Sequence, residues 1–467
     1  MAREYIGVVL ACLLAMQNGM VTAQNQDTTA EYRPPALISE ASFNNIMNRL
    51  NALEMAVEDD KTQEALNDNC REVDVLKGTT LKIFGRVHLD YGGFPRDSPL
   101  PNFLETGDAN VPPEDFIGFR RLRIGVRGDI HETMLYKIEM EFAVPQDLVF
   151  KDAYLGWKEM PVFQTVLLGN QKRPYGLDTL NSSRYNVFME RPFTVEAFNQ
   201  DARRIGLQSY GVSDNERWNW RYGYFIMDDL QKTGGQYADN YQSEVAGRLA
   251  NTIWYDEMSD GRGYAHWAVS GSAAFPGGGP DARFLTRPEA RTQEKWFDTG
   301  AIAGGNAYQI FGVEGVLNLG PLSIVGEYQT AQMQRSMGSD LTFGGGYVYV
   351  AYWLTGESTP WDRRSGTLGR TKPFENFFLV RKCDGSRGRG WGAWQIGGRY
   401  SHGDFFDEDI FGGVGNSFSF AANWWWNSHS RMQFNYINGQ ITDRVAAGAP
   451  STSGTYNMFG TRFMVDF

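Results

Sequence analysis

The chain has 467 residues, of which 14% are aromatic and 53 are glycine, and its formal net charge is −11. This acidic balance argues against a nucleic-acid-binding protein, and three cysteines are too few for a disulfide scaffold. No run after residue 24 reaches the roughly 18 apolar residues of a membrane-spanning helix, whereas abundant aromatics and glycines favour strands and turns.

The N-terminus has the pattern of an export signal. Arg3 precedes an apolar region at residues 6–16, and Val-Thr-Ala at residues 21–23 fits a small-residue cleavage site. We therefore predict a signal peptide over 1–23. A membrane anchor needs a longer apolar run, and lipoprotein-type cleavage before Cys12 leaves too little apolar length upstream.

Residues 24–77 form an acidic extension, with eleven acids and five bases. A Pro-Pro pair predicts a flexible tether over 24–37. Residues 38–77 contain apolar side chains spaced three and four apart, which predicts a short coiled-coil-like helix that associates with copies of itself. A lone amphipathic helix packed on the rest of the protein is the alternative. The seam residues are Phe43, Ile46, Leu50, Leu53 and Val57.

From residue 78 to residue 467 the pattern is that of strands. In the stretch 121–127, arginines alternate with Leu, Ile and Val, and at 136–142 charged residues alternate with Tyr, Ile, Met and Phe. Short and long links between such segments alternate along most of the chain. Sixteen segments are recognised, near 81–91, 117–128, 135–144, 150–158, 162–172, 203–210, 217–227, 244–255, 264–274, 307–318, 322–331, 343–354, 392–401, 415–427, 430–438 and 456–467.

The orientation of the two faces separates a soluble sandwich from a membrane barrel. The apolar face is rich in aromatics near segment ends, as in an interfacial girdle, and charge is dense in mid-strand. The chain ends on Phe467, with Val465, Phe463 and Phe459 on the same face, a signature typical of outer-membrane barrels. We predict an all-β transmembrane barrel of about 16 antiparallel strands, with apolar side chains facing lipid and a water-filled lumen.

Several motifs resemble the phosphate-selective porin O/P family. They include "FRRLRIGVRGDI", "LLGNQKRPYGLDTLNSSRYNVFMERP" and "LTGESTPWDRRSGTLGRTKPFENF", in family order from about residue 80. The resemblance implies a homotrimeric outer-membrane porin of a Gram-negative-type bacterium, without cofactor. It also implies passive diffusion of small anions, phosphate or polyphosphate among them, with two loops and one periplasmic turn folded into the lumen.

The cationic residues of these stretches are the candidates for an anion path. A general diffusion porin without phosphate selectivity remains the alternative, because acids accompany the bases. A register that pairs Arg123 with Glu141 and Arg127 with Lys137 would leave only a modest surplus of positive charge. The candidates are Arg121, Arg123, Arg127, Lys137, Lys172, Arg173, Arg184, Arg191, Arg203 and Arg204.

The link 355–391 is long although it falls on the short-turn rim, and its position matches the inward-folding turn of the family. Its candidate residues are Arg363, Arg364, Arg370 and Lys372. Cys70 and Cys383 both fall on the periplasmic side of this topology. A disulfide between them, two free thiols and an inter-subunit bond all remain open.

The sequence favours no enzyme class. HExxH, GxSxG and GxxxxGK[ST] motifs are absent, and the five histidines suggest no metal site. The acidic stretch 404–409 is either a solvated loop or a divalent-cation site at the external rim. A secreted carbohydrate-binding β-protein would also use aromatic faces, but it would not need detergent.

Overall fold

The computed structural model describes residues 78–143, 148–199, 202–227, 242–276, 282–381 and 386–467. Sixteen strands pair with their neighbours, all antiparallel, and the first pairs with the last to close a barrel. This confirms the predicted fold class and strand number. The barrel strands are β1 Lys82–Asp97, β2 Phe116–Ile130, β3 Met134–Glu141, β4 Val149–Met160, β5 Gln164–Lys172, β6 Arg203–Val212, β7 Trp218–Ile226, β8 Ser243–Tyr255, β9 Gly263–Phe275, β12 Gly305–Leu319, β13 Leu322–Arg335, β14 Leu341–Trp353, β19 Ala393–Asp407, β20 Ile410–Asn427, β21 Ser430–Arg444 and β22 Gly454–Asp466.

Short elements lie in the links. Three helices are α1 Pro99–Thr106, α2 Leu177–Leu180 and α3 Phe193–Phe198, with one 3-10 turn at Glu257–Ser259. Three two-stranded ribbons are β10 Leu285–Thr286 with β11 Phe297–Asp298, β15 Trp361–Asp362 with β16 Thr367–Leu368, and β17 Val380–Arg381 with β18 Arg387–Gly388. Within the described residues, no helix is long and apolar enough to cross a membrane.

The alternation of side chains sets the two faces of the wall. On β20, Phe418 and Phe420 are 56% and 62% exposed, whereas Ser417 and Ser419 between them are buried. Polar residues of the other strands are buried in the same way, because loops fill much of the lumen. A closed ring leaves no strand edge without a partner, as hydrocarbon requires.

Apolar side chains also form a core inside the ring. Helix α3 and the ribbon β10–β11 pack there with inward-facing strand residues. Phe198 contacts Phe284 edge-on with ring centroids 5.2 Å apart, and Phe193 contacts Phe297 at 5.0 Å. This core occupies part of the lumen, so the open space lies elsewhere in the ring.

The predicted signal peptide, tether and helical extension (1–23, 24–37 and 38–77) lie outside the described residues. Cys70 and Cys383 also lie outside them, so the open question of a disulfide stays a prediction.

Candidate functional site

The hairpin β2–β3 directs its charged face into the lumen. Its register pairs Arg123 with Glu141 and Arg127 with Lys137, the pairing that would balance much of the charge. Arg123 Nε donates to Glu141 Oε2 at 2.5 Å. On β1, Arg86 lies opposite Arg123 and its Nη2 donates to Glu139 Oε1 at 2.8 Å. The arginines therefore form a stack in which carboxylates lie between neighbouring cations.

Residues 173–199, between β5 and β6, enter the lumen and are held against the wall by buried ion pairs. Arg462 Nη2 donates to Glu190 Oε1 at 2.7 Å, and its Nη1 donates to the Met189 carbonyl. Arg462 also pairs with Asp90 at 2.7 Å on the neighbouring strand. Arg120 binds the same Glu190 carboxylate through two hydrogen bonds of 2.8 and 2.9 Å.

Electrostatics favour the ionised form of Glu190. Burial alone would raise the pKa of this carboxyl, but the charges of Arg120 and Arg462 outweigh burial and hold it well below its ordinary value. The segment is therefore held by charge-assisted hydrogen bonds at its centre.

Further contacts hold the inserted segment near its start and at its centre. The Asp178 amide donates to Glu327 Oε2 at 3.2 Å, and Asp178 pairs with Arg191 at 2.8 Å. Asn423 Nδ2 donates to the Val187 carbonyl at 3.0 Å. The segment thus contacts walls on several sides of the ring.

The turn side of the barrel contributes a second inserted piece, residues 355–373. Trp361 packs against His266 with centroids 4.5 Å apart, and Arg248 Nη2 donates to the Gly366 carbonyl at 3.0 Å. The Leu368 amide donates to Asn181 Oδ1 at 3.0 Å. The long loop and the turn therefore meet inside the lumen.

A cavity of about 280 Å³ lies between the inserted segment and the wall formed by β1–β7. Nine cationic side chains and two carboxylates line it. The cations are Arg86, Arg121, Arg123, Lys137, Lys172, Arg184, Arg191, Arg203 and Arg221, and the carboxylates are Glu139 and Asp152. Asn181, Ser182 and Ser183 add neutral polar groups.

Ion pairing neutralises some of these cations but leaves others. Asp152 binds both Lys137 and Arg203, and Arg184 Nε lies 2.8 Å from Asp466 Oδ2. In the described part of the chain, Arg121, Lys172 and Arg221 form no ion pair with a carboxylate. These three residues are termed the unpaired cations below.

Neutral acceptors hold the unpaired cations in place. Lys172 Nζ donates to the carbonyls of Leu180 and Asn181 at 2.9 and 3.0 Å. Arg121 Nη1 lies 3.3 Å from His88 Nδ1, and Arg221 Nη2 donates to the Ser365 carbonyl at 3.2 Å. Carbonyl and imidazole acceptors orient a cation without cancelling its charge, so the cavity keeps a surplus of positive charge.

Seven of the ten anion-path candidates line the cavity, and three lie elsewhere. Arg127 stacks on Phe84 and is exposed on the same face of β2, nearer the short-turn rim. Arg173 pairs with Glu244 at 2.7 Å, and Arg204 Nε donates to the Met227 carbonyl at 2.6 Å. Of the turn candidates, Arg363 pairs with Glu257 at 2.7 Å, Arg364 lies 4.0 Å from Glu216, Arg370 pairs with Asp466, and Lys372 is exposed.

Sequence reasoning missed Arg86 and Arg221 as lining residues. Both stand on the polar face of an alternating segment, which was the available signal. Neither residue lies in a dense group of bases: Arg221 is the sole base of β7, and Arg86 is four residues from Lys82 on β1.

The acidic stretch at the external rim makes contacts with its own surroundings. Asp409 binds Arg335, and Asp407 Oδ2 accepts a hydrogen bond from the Thr342 amide at 2.7 Å. Over the described ranges, no cluster of three or more His, Cys, Asp and Glu side chains is arranged to hold a metal ion.

The model of one protein family, phosphate-selective porin O and P, matches residues 81–467. The chain belongs to this family. The porin is thus a channel protein of the outer membrane, and its barrel spans that membrane with a water-filled lumen.

Two individual proteins illustrate the range of similarity. An uncharacterized protein of Caulobacter vibrioides is 25% identical over 397 residues, covering 83% of this chain and 74% of the relative. The solved anion-selective porin from Comamonas acidovorans superposes with a TM-score of 0.50 at 12% identity, covering 83% of this chain and 99% of that one. The structural likeness concerns the fold of the porin.

Proposed function

We propose that this porin conducts small anions by passive diffusion and that the cationic cavity is its selective constriction. The observation that carries this proposal is the lining of nine cations against two carboxylates. An anion that enters a low-dielectric wall must have its lost hydration replaced, and Arg and Lys side chains supply donors and fixed charge. The solved porin from Comamonas acidovorans is described as anion-selective, in keeping with this proposal.

Inorganic phosphate is the proposed preferred solute class. The unpaired cations surround a space of about 280 Å³, which admits a tetrahedral oxyanion with part of its water. Each unpaired cation uses only some of its N–H groups to bind protein acceptors, so its other N–H groups can donate to phosphate oxygens. Several weak sites in series allow release as well as entry, as conduction requires.

The test is phosphate titration of chloride current through the reconstituted porin. We expect phosphate to reduce the chloride conductance at low concentration. Replacing the unpaired cations one at a time (Arg121→Gln, Lys172→Gln, Arg221→Gln) weakens this block. The control is Arg127→Gln, which removes the same charge from the same strand as Arg121 but outside the cavity. Equal loss of block in Arg127→Gln and Arg121→Gln would contradict a role for the cavity.

A general diffusion porin is the second candidate function. Four of the cations form ion pairs, which favours this alternative, because the charges of a pair largely cancel and leave little net attraction for anions. The cations are Arg86, Arg123, Lys137 and Arg203, and their partners are Glu139, Glu141 and Asp152. Under this alternative phosphate leaves the chloride current unchanged, and cations and anions pass at similar rates.

We also propose that the porin is a homotrimer, as its family resemblance implies. Strands β3, β5, β6 and β7 have only 8–10 residues, and leucines on β4, β5 and β6 of this wall face outward. Leu155 and Leu168 there are 40% and 45% exposed. Leu168→Arg should dissociate the oligomer on gel migration without boiling, whereas Val350→Arg on a distant strand with similar exposure should not. The predicted helix at 38–77 is a second proposed site of self-association.

A further inference from the structure

The described residues 374–381 and 386–391 of the link 355–391 leave the lumen and lie on the outside of the barrel. These two stretches are termed the rim hairpin. Phe377 packs on the outward-facing Trp424, with ring centroids 4.6 Å apart, and its amide donates to the Trp426 carbonyl at 2.7 Å. Trp424 Nε1 donates to the Trp391 carbonyl at 2.8 Å. The sequence predicts that the whole link folds inward, but this prediction is wrong for the residues of the rim hairpin, which lie outside the wall.

The rim hairpin extends an aromatic cluster of the lipid-facing wall. Trp394 stacks on Trp424 at 5.1 Å, and Trp426 contacts Phe463 at 5.1 Å. These side chains stand on β19, β20 and β22 near the short-turn rim. Aromatics at this level are typical of the boundary between hydrocarbon and head groups.

Large apolar side chains of the rim hairpin are exposed, although the Arg262 guanidinium lies over the ring of Phe374 at 5.9 Å. The exposed fractions are 65% for Phe374, 59% for Phe378, 54% for Leu379 and 77% for Trp391. Exposed apolar groups contiguous with one another mark an interaction surface rather than ordinary surface scatter. Because they continue the lipid-facing girdle, the adjoining apolar phase is the bilayer itself.

The backbone of the rim hairpin is built to present these groups. Phe378 has a φ of +77°, a conformation that is strained for a bulky residue and that persists only where its surroundings enforce it. The Phe378 amide donates to the Gly390 carbonyl at 3.1 Å. A Cβ on Gly390 would lie 2.0 Å from the Asn376 carbonyl oxygen, so only glycine permits the two chains to approach this closely.

Basic side chains accompany the apolar ones. Arg387, Arg389 and Lys372 are exposed on or beside the rim hairpin. Cations at the short-turn rim meet the head groups of the periplasmic leaflet, where anionic phosphates accept hydrogen bonds from guanidinium groups. Apolar insertion and cationic head-group contact together are the two contributions that hold interfacial segments on membranes.

We propose that the rim hairpin is an interfacial anchor that inserts into the periplasmic leaflet of the outer membrane and binds anionic phospholipid head groups. Phe378, Leu379 and Trp391 enter the acyl boundary. Arg387 and Arg389 contact the phosphates. The anchor fixes the height of the barrel in the bilayer and the position of the turn whose first half is inserted into the lumen.

Nitroxide depth measurements in vesicles test this inference. In a full-length chain with Cys12, Cys70 and Cys383 replaced by Ser, a label is placed at Phe378→Cys, and in a second variant at Leu379→Cys. The control label is Asp214→Cys, on an exposed turn of the same rim. In vesicles of equimolar phosphatidylcholine and phosphatidylglycerol, we expect the hairpin labels to collide with oxygen and to be protected from a water-soluble nickel complex. The control label should show the opposite behaviour.

A change of lipid composition tests whether the arginines of the rim hairpin contribute to membrane binding. Omitting phosphatidylglycerol should make the hairpin labels shallower, and Arg387→Gln with Arg389→Gln should abolish that dependence. Each arginine near an anionic membrane surface changes the equilibrium constant for binding to that membrane roughly fivefold. The matched control is Arg217→Gln with Lys158→Gln, which removes two charges from other turns of the rim. Nickel access at Phe378 and Leu379 equal to that at Asp214 would overturn the proposal and indicate a protein partner instead. A dependence on phosphatidylglycerol that survives the Arg387 and Arg389 changes would overturn the head-group contact.

Discussion

Replacing Arg462 by Gln removes the cation that joins the inserted segment to the barrel wall. Arg462 is fully buried, and it holds Asp90 through two hydrogen bonds of 2.7 Å and Glu190 through another. In the variant, Glu190 keeps its two bonds to Arg120, whereas Asp90 loses its ion-pair partner. Breaking a buried pair by removing one partner costs about 3–5 kcal/mol.

That cost falls on the state in which the segment lies in the lumen. Because every 1.4 kcal/mol is about tenfold, the open state should gain population by about a hundredfold to a few thousandfold. Water in the nearby cavity screens the charges, so the lower end of this range is the expected result. Trypsin cleavage after Arg184 reports on opening, since Arg184 lies in the inserted segment and Tyr185 follows it, whereas the Arg191–Pro192 bond resists trypsin.

Three chains complete the cleavage assay: the parent, Arg462→Gln, and Arg462→Gln with Asp90→Asn. The double variant should be cleaved more slowly than the single one, because the unpaired carboxylate is gone. Heat-modifiable gel migration confirms that each barrel is closed. If the single variant resists trypsin as well as the parent does, Arg462 is not an anchor. If the double variant opens as fast as the single one, an unpaired Asp90 is not the cause.

Further predictions concern pH, the loop backbone and a second anchor. The pKa of Glu190 is depressed, so the ionised carboxylate stabilises the inserted segment fully above the ordinary carboxyl pKa of about 4.3. This stabilisation is lost only as pH falls through the lower pKa of the folded state. Trypsin resistance should therefore be constant from pH 8 to pH 5, and its loss near pH 6 would contradict this prediction. Gly176→Ala should increase the noise of the channel current, because Gly176 has a φ of +80° and an added Cβ would lie 2.6 Å from Glu327 Oε1. Channels as quiet as those of a Gly398→Ala control would contradict this prediction. Arg399→Gln should also open the segment, because Arg399 Nη1 donates to the Glu190 carbonyl at 3.0 Å and Nη2 pairs with Glu289 at 2.8 Å; parent-like trypsin resistance is the opposing result.

The wall of the barrel was predictable because its signal is local. A strand in a membrane barrel alternates between lipid and lumen, so the stretch 121–127 displays both faces in seven residues. The register given as an alternative from the sequence, with Arg123 opposite Glu141 and Arg127 opposite Lys137, is the one that the structure adopts.

The contacts of the inserted pieces were not predictable from local patterns. Arg462 and Glu190 are separated by 272 positions, and nothing in either neighbourhood names the other. The unpaired state of Lys172 depends on carbonyls that are placed by a loop conformation, which composition does not encode.

The division of the link 355–391 into an inserted piece and the rim hairpin was also not predictable from local patterns. Its aromatic and basic residues suit either a lumen plug or a membrane interface. Only the packing of Phe377 on Trp424 decides which side of the wall receives the rim hairpin.

The zero-current potential across a planar bilayer in a potassium chloride gradient tests the central claim most directly. A single porin with a surplus of fixed positive charge at its constriction should give a potential of the sign set by chloride. Removing all three unpaired cations (Arg121→Gln, Lys172→Gln and Arg221→Gln together) should shift that potential towards zero. A parent channel whose potential has the sign set by potassium would contradict the account.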